Sequence, residues 1–133
     1  MTLRTILAVA IGGVLGTAAR LGLDTALPHP HDAFPWSTLI VNVVGSLVLG
    51  FLVARVWPSA PDWLRAGLGA GVLGSFTTFS AVAVSMIELP VPVAVLYLAV
   101  SVVLGLTAAL LGLRLGRRPD AASTATPIDS VNE

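Results

Sequence analysis

The chain contains no cysteine, which removes disulfides, thiolate metal sites, iron–sulfur clusters and thiol nucleophiles from consideration. It contains no lysine either. All 7 of its basic residues are arginines, matched by 7 acidic ones for a formal net charge of zero. A nucleic-acid partner needs a basic face that this balance does not suggest, so the charge is informative by position rather than by sum. Charged residues make up only 11% of the chain against 56% hydrophobic ones, and the mean hydropathy is +0.93. These values exclude a disordered chain and argue strongly against a water-soluble domain, leaving the lipid bilayer as the solvent. The first apolar segment is too long, and lacks a convincing cleavage site, to read as a removable signal peptide.

A membrane-spanning helix needs about 20 mostly apolar residues. Four such stretches account for nearly all of the chain, at about residues 5–27, 36–57, 63–87 and 91–115, so that residues 1–116 read as one all-α membrane unit. Turn chemistry separates them: PHPHDAFP from Pro28, WPSAPDW from Trp57 and ELPVP from Glu88. Trp36, Trp57 and Trp63 fall at span ends, where an amphipathic ring prefers the headgroup layer. From Arg117 the sequence turns polar, and residues 117–133 read as a disordered cytoplasmic tail.

An even number of spans puts both termini on one side with the loop between spans two and three. Arg4, Arg55, Arg65, Arg114, Arg117 and Arg118 collect there, whereas the two loops on the other side have no basic residue. The positive-inside rule therefore predicts cytoplasmic termini. Arg20 is the exception, inside span one near its outer end, with Asp24 four residues later. Two readings stay open for it: a snorkelling pair that caps the helix, or part of a pore vestibule.

Small residues recur every fourth position, as in Gly12 and Gly16, Gly67 and Gly71, and Ser101 and Gly105. Lipid offers no hydrophobic drive for helix association, so such faces predict close backbone packing. A chain this short has little room to enclose an aqueous path alone, which favours an oligomer. No enzyme motif is present. Ser80, Thr77 and Thr78 have no base in their own segment, and His29 and His31 beside Asp32 in a proline-rich loop read as solvated rather than as a metal site. The glycines at 67, 69, 71 and 74 imitate nucleotide-binding spacing without the strand that such a motif must follow.

The segment GVLGSFTTFSAV, Gly71 to Val82, is the poorest helix of the chain, yet it lies mid-span. Irregular backbone at that depth is tolerated only where protein surrounds it or a cavity or ion meets it. A break between Gly74 and Thr78 would free carbonyl oxygens, hard ligands suited to Na⁺. The alternative is a continuous helix merely bent by hydroxyls bonding back to their own carbonyls.

Three motifs, GGVLGTAAR (Gly12 to Arg20), NVVGSLVLG (Asn42 to Gly50) and GVLGSFTTFS (Gly71 to Ser80), closely resemble the fluoride channel (Fluc/CrcB) family. The resemblance covers all four spans. It implies a fluoride-selective channel subunit that forms an antiparallel, dual-topology dimer with two ion pathways. It also implies a broken third helix whose backbone holds a structural, non-transported Na⁺ at the dimer centre. Carried onto this chain, the sodium positions are Gly74 and Thr77, the fluoride pathway is Thr38, Asn42, Phe79, Ser80, Tyr97 and Ser101, and Arg20 serves the vestibule or assembly. Asn42 supplies amide donors, Phe79 supplies positively polarised ring edges, and Tyr97 with Ser101 matches the family's polar track. The implied partners are fluoride, a second subunit of opposite orientation and the lipid bilayer, in the cell's inner membrane, with no enzymatic activity.

Two positions depart from the family pattern. Val82 stands where a second phenylalanine is usual, and Gly105 stands where the hydroxyl track often continues. Six arginines on one side against none on the other also predict a fixed orientation, so a related chain of opposite topology is the expected partner, with one of the two pathways weakened. Two rival readings remain. A non-conducting structural subunit is favoured by Val82 and opposed by Asn42 and Phe79, whereas a small four-span multidrug transporter would need a mid-membrane acid in span one that is not there.

Overall fold

The computed structural model describes residues 1–27 and 34–117. It is all-helical among those residues, and four of its helical spans are long and apolar enough to cross a membrane. The first is α1 (Leu3–Ala26), the second α2 (Trp36–Arg55) and the fourth α6 (Val91–Gly116). The third, Asp62–Glu88, is composite: α3 (Asp62–Ala66), a π-helical stretch (Gly67–Leu73), a single turn α4 (Gly74–Phe76) and then α5 (Phe79–Glu88). The loop with His29, His31 and Asp32, and the tail from Arg118, lie outside the described residues, among which no cluster of His, Asp or Glu could hold a metal.

Local chemistry explains where the helices start. Thr2 caps α1, its hydroxyl accepting the Thr5 N–H at 3.3 Å. Proline 92 enters the first turn of α6, where the missing N–H would have no intrahelical acceptor anyway.

Glycine carries the packing between spans. A methyl group at Gly12 would fall on the Gly67 carbonyl oxygen and one at Gly16 on the Val72 carbonyl oxygen, so α1 lies backbone to backbone along the π-helical stretch. The pairing of α2 with α6 works the same way, with Gly50 against the Ala109 carbonyl and Gly112 against the Leu47 carbonyl. Dispersion across such faces substitutes for the hydrophobic drive that lipid removes.

The third span changes partner at its break. Its first half lies along α1, whereas α5 turns to α6, where Val82 and Leu89 join Leu39, Ala94 and Tyr97 in the main buried cluster. At the arginine-bearing end, the Arg4 guanidinium stacks over Trp63 at 4.2 Å from the ring centroid, and Arg65 pairs with Asp62 at 3.8 Å. That is the one ion pair among the described residues, so Arg20 and Asp24 do not close the pair that their spacing suggests. The two residues still line one cavity of about 30 Å³, together with Thr38 of α2 and Thr78 at the break, and the Arg20 Nε is buried there without a protein partner.

Candidate functional site

The third span opens where its sequence offers least helix propensity. In the glycine-rich stretch from Gly67 the turn widens to π geometry, and the Gly74 N–H is shared between the Gly69 and Gly71 carbonyls. At Thr77 the chain leaves the helix (φ −75°, ψ 153°), and Thr78 is fully extended (φ −147°, ψ 122°). The Thr77 hydroxyl does bond back to the Leu73 carbonyl at 2.8 Å, beside the Thr77 N–H at 2.9 Å. That back-bond ends the turn without carrying the helix through, so the bent but continuous alternative is not the one adopted.

Side chains receive the backbone groups that the break displaces. In a continuous α-helix the Thr78 N–H would point to the Gly74 carbonyl and the Ala81 N–H to the Thr77 carbonyl. Here the Thr78 N–H donates to Asn42 Oδ1 at 2.8 Å, and Asn42 Nδ2 donates to the Thr78 carbonyl at 3.0 Å. The Ala81 N–H donates to the Thr78 hydroxyl at 3.2 Å, which caps α5. Both diversions leave a carbonyl without its helical donor, and those carbonyls belong to Gly74 and Thr77. The close approach that permits this comes from Gly45 of α2, where a methyl group would collide with the Thr77 Cγ2. Asn42, one turn earlier on α2, is thereby within reach of Thr78.

A groove of about 370 Å³ opens at this point, lined among others by Asn42, Gly74, Thr77, Thr78, Phe79 and Val82. Gly74, Phe79 and Ser80 lie on the exposed side, with Phe79 80% exposed, whereas Val82 one turn on is buried. The Ser80 hydroxyl sits 3.0 Å from that of Thr78. Val82, at the rear of the groove, is buried against the cluster containing Tyr97.

Tyr97 and Ser101 lie one turn apart on α6, apart from the groove lining. Tyr97 is completely buried, with the Phe34 ring edge-on at 5.3 Å; its hydroxyl lies near that of Ser101, and no other protein group partners either one. Orphaned buried hydroxyls are costly unless water or a ligand meets them. The structure thus gathers Asn42, Gly74, Thr77 and Phe79 at one groove with Ser80 beside them, places Thr38 with Arg20 in the smaller cavity, and keeps Tyr97 and Ser101 behind Val82. Thr78 touches both cavities and is the hinge of the site. Its role was open to sequence reasoning as a threonine just ahead of a new apolar helix, a capping signal.

Residues 7–113 match the family described as CrcB-like protein, Camphor Resistance (CrcB). The chain is 44% identical to the fluoride-specific ion channel FluC of Novosphingobium aromaticivorans over 117 residues, covering 82% of this chain and 93% of that one. It is 41% identical over 115 residues to fluoride-specific ion channel FluC 1 of Rhodococcus jostii, covering 86% and 87%. With FluC of Thermus thermophilus it shares 42% over 116 residues, covering 83% and 93%. The matched residues run through all four spans and include the break, and by this measure the chain belongs to the CrcB/FluC family of fluoride-specific ion channels.

Proposed function

We propose that this chain is one subunit of a fluoride-selective channel in the cell's inner membrane, through which cytoplasmic F⁻ leaves passively. Fluoride enters cells as the neutral weak acid and ionises inside, so an anion leak driven by the inside-negative potential lowers its concentration without ATP. The observation that carries the reading is the break at Thr77 and Thr78, latched by Asn42 and facing an open groove, in a chain more than two-fifths identical to fluoride-specific channels.

Fluoride is small and strongly hydrated, so a selective route replaces its water with several weak donors and keeps full positive charges away from the narrowest part. Asn42 has one amide hydrogen left after its bond to Thr78. The Phe79 ring edge and the Ser80 hydroxyl stand beside it, with Thr38 on the Arg20 side of Thr78. Tyr97 and Ser101 add two neighbouring buried hydroxyls that no other protein group uses. The one charged group in this set, Arg20, sits at the edge, as suits a vestibule.

The carbonyls of Gly74 and Thr77 fit a structural Na⁺: both have lost their helical donors to side chains, and Gly74 is exposed. A bound Na⁺ would supply a fixed charge bracing two subunits. One chain offers too few oxygens to surround the ion, which supports a second subunit crossing at this point in the opposite orientation. Because the arginines lie on one side, that second subunit is a related chain of opposite topology. Fluoride efflux from liposomes, measured for this chain alone and with such a partner, tests the assignment. Efflux of fluoride over chloride only with the partner is expected, strong efflux from the chain alone would refute the fixed topology, and no efflux in either case would refute the channel. Val82 favours a second reading, in which this subunit is half-active or purely structural. It puts an aliphatic side chain, 5% exposed, at the back of the groove where a second ring would extend the pathway.

A further inference from the structure

A charged recess lies far from the break, at the arginine-bearing end. There a cavity of about 820 Å³ opens between the ends of α2 and α6 and the turn after α2. Gly116 permits it: a methyl group there would come within 2.7 Å of the Phe51 carbonyl oxygen and 2.8 Å of the Ala54 Cβ, so the two helix ends lie against each other. The inner wall is apolar and half-buried, formed by Val53 and Ala54 of α2 and Leu113 of α6. The rim is basic and polar, formed by Arg55, Ser59 and Arg117. Arg117 is held over the cavity as the cap of α6, its N–H bonded to the Leu113 and Arg114 carbonyls at 3.2 and 3.3 Å.

Both rim arginines are exposed, and neither pairs with an acid among the described residues. The negative ends of two helix dipoles account for a basic residue at each helix end, but not for two that converge over an apolar-walled recess. Trp63, stacked under Arg4, places this end at the headgroup level of the bilayer. We infer that this recess binds an anionic phospholipid, with Arg55, Arg117 and the Ser59 hydroxyl on its phosphate and the start of an acyl chain along Val53, Ala54 and Leu113. Guanidinium groups suit phosphate oxygens because their donors form a planar fork. The site is independent of fluoride conduction and would hold the arginine-bearing end at one leaflet.

The test is a titration of the full chain in neutral detergent, read by tryptophan fluorescence, with phosphatidylglycerol, phosphatidylcholine and inorganic phosphate as separate probes. In detergent, membrane orientation drops out, so topology cannot mimic the result. Saturable binding of phosphatidylglycerol is expected, several-fold tighter than phosphatidylcholine, with no response to inorganic phosphate over the same range. R55Q or R117Q should each weaken phosphatidylglycerol by about 5-fold and the double variant by about 30-fold. The double replacement by lysine, which keeps the charge and loses the planar fork, should recover only part of the affinity relative to the double glutamine variant, and R4Q, at the same end but outside the recess, should leave it unchanged. Equal affinity for the two lipids, or a double glutamine variant that binds like the parent, would overturn the site. A response to inorganic phosphate matching that to phosphatidylglycerol would overturn the lipid assignment in favour of a free anion.

Discussion

The seam between α2 and α6 and the contact between α1 and the third span use the same device and end differently. Along the first, Gly50 and Gly112 stand against facing carbonyls while both helices run unbroken, for 20 and 26 residues. Along the second, Gly12 and Gly16 stand against the Gly67 and Val72 carbonyls, yet the span that they meet widens to π geometry and stops at Thr77. Small residues therefore set how closely backbones approach, and do not by themselves make a site. What turns the second contact into a site is a set of side chains, Asn42 and Thr78, that take over N–H groups the helix would otherwise use.

The largest effects should be shared by both regions. Gly16→Val and Gly112→Val each drive a side chain into a carbonyl oxygen, at a cost of about 3 kcal/mol, and both should abolish a monodisperse peak in size-exclusion chromatography. Tolerance of either would mean that its seam is looser than described. Asn42→Ala should separate the regions. It removes two hydrogen bonds to Thr78, costing about 2–3 kcal/mol in thermal stability, and should lower fluoride efflux by about 30- to 100-fold if the same energy bears on the conducting geometry. Asn42→Asp, which keeps the acceptor for the Thr78 N–H and loses the donor, should fall between. Thr78→Val deletes the α5 cap and should cost about 1 kcal/mol, with Thr78→Ser near the parent in melting temperature. At the small end, Gly22 has nothing within 4 Å of where a methyl group would stand. Gly22→Ala should raise stability by about 0.5–1 kcal/mol with efflux unchanged, separating a spare glycine from those that carry contacts.

Much of the architecture was legible in the sequence because lipid imposes it. Four apolar runs bounded by proline-rich turns leave little choice but four spanning helices, and the Gly-Ser-Phe-Thr-Thr run from Gly74 at mid-span is poor in helix propensity. A break somewhere from Gly74 to Thr78 was one of two readings that the residues left open; it falls at Thr77 and Thr78, after the helical turn Gly74–Phe76. Its hydrogen bonding could not be read, because Asn42 and Thr78 are 36 residues apart and a lone asparagine in a span reads equally well as an interhelical contact. The π geometry was equally hidden, since no spacing in the sequence distinguishes it from an ordinary glycine-rich turn of helix. Arg20 had two open readings, and its spacing did not decide between them: Asp24 lines the same small cavity with Thr38 and Thr78, yet no ion pair forms between the two. Local patterns fix which residues share a helix face, while neighbours from other spans decide what each side chain does there.

The central claim is that diverting the Thr78 and Ala81 N–H groups frees the Gly74 and Thr77 carbonyls for a bracing Na⁺. Fluoride efflux from liposomes holding this chain with its proposed partner, first in Na⁺ buffer and then with N-methylglucamine in its place, tests it most directly. Efflux that collapses without Na⁺ and returns when Na⁺ is restored is the expected result, and equal efflux in the two buffers would contradict the account.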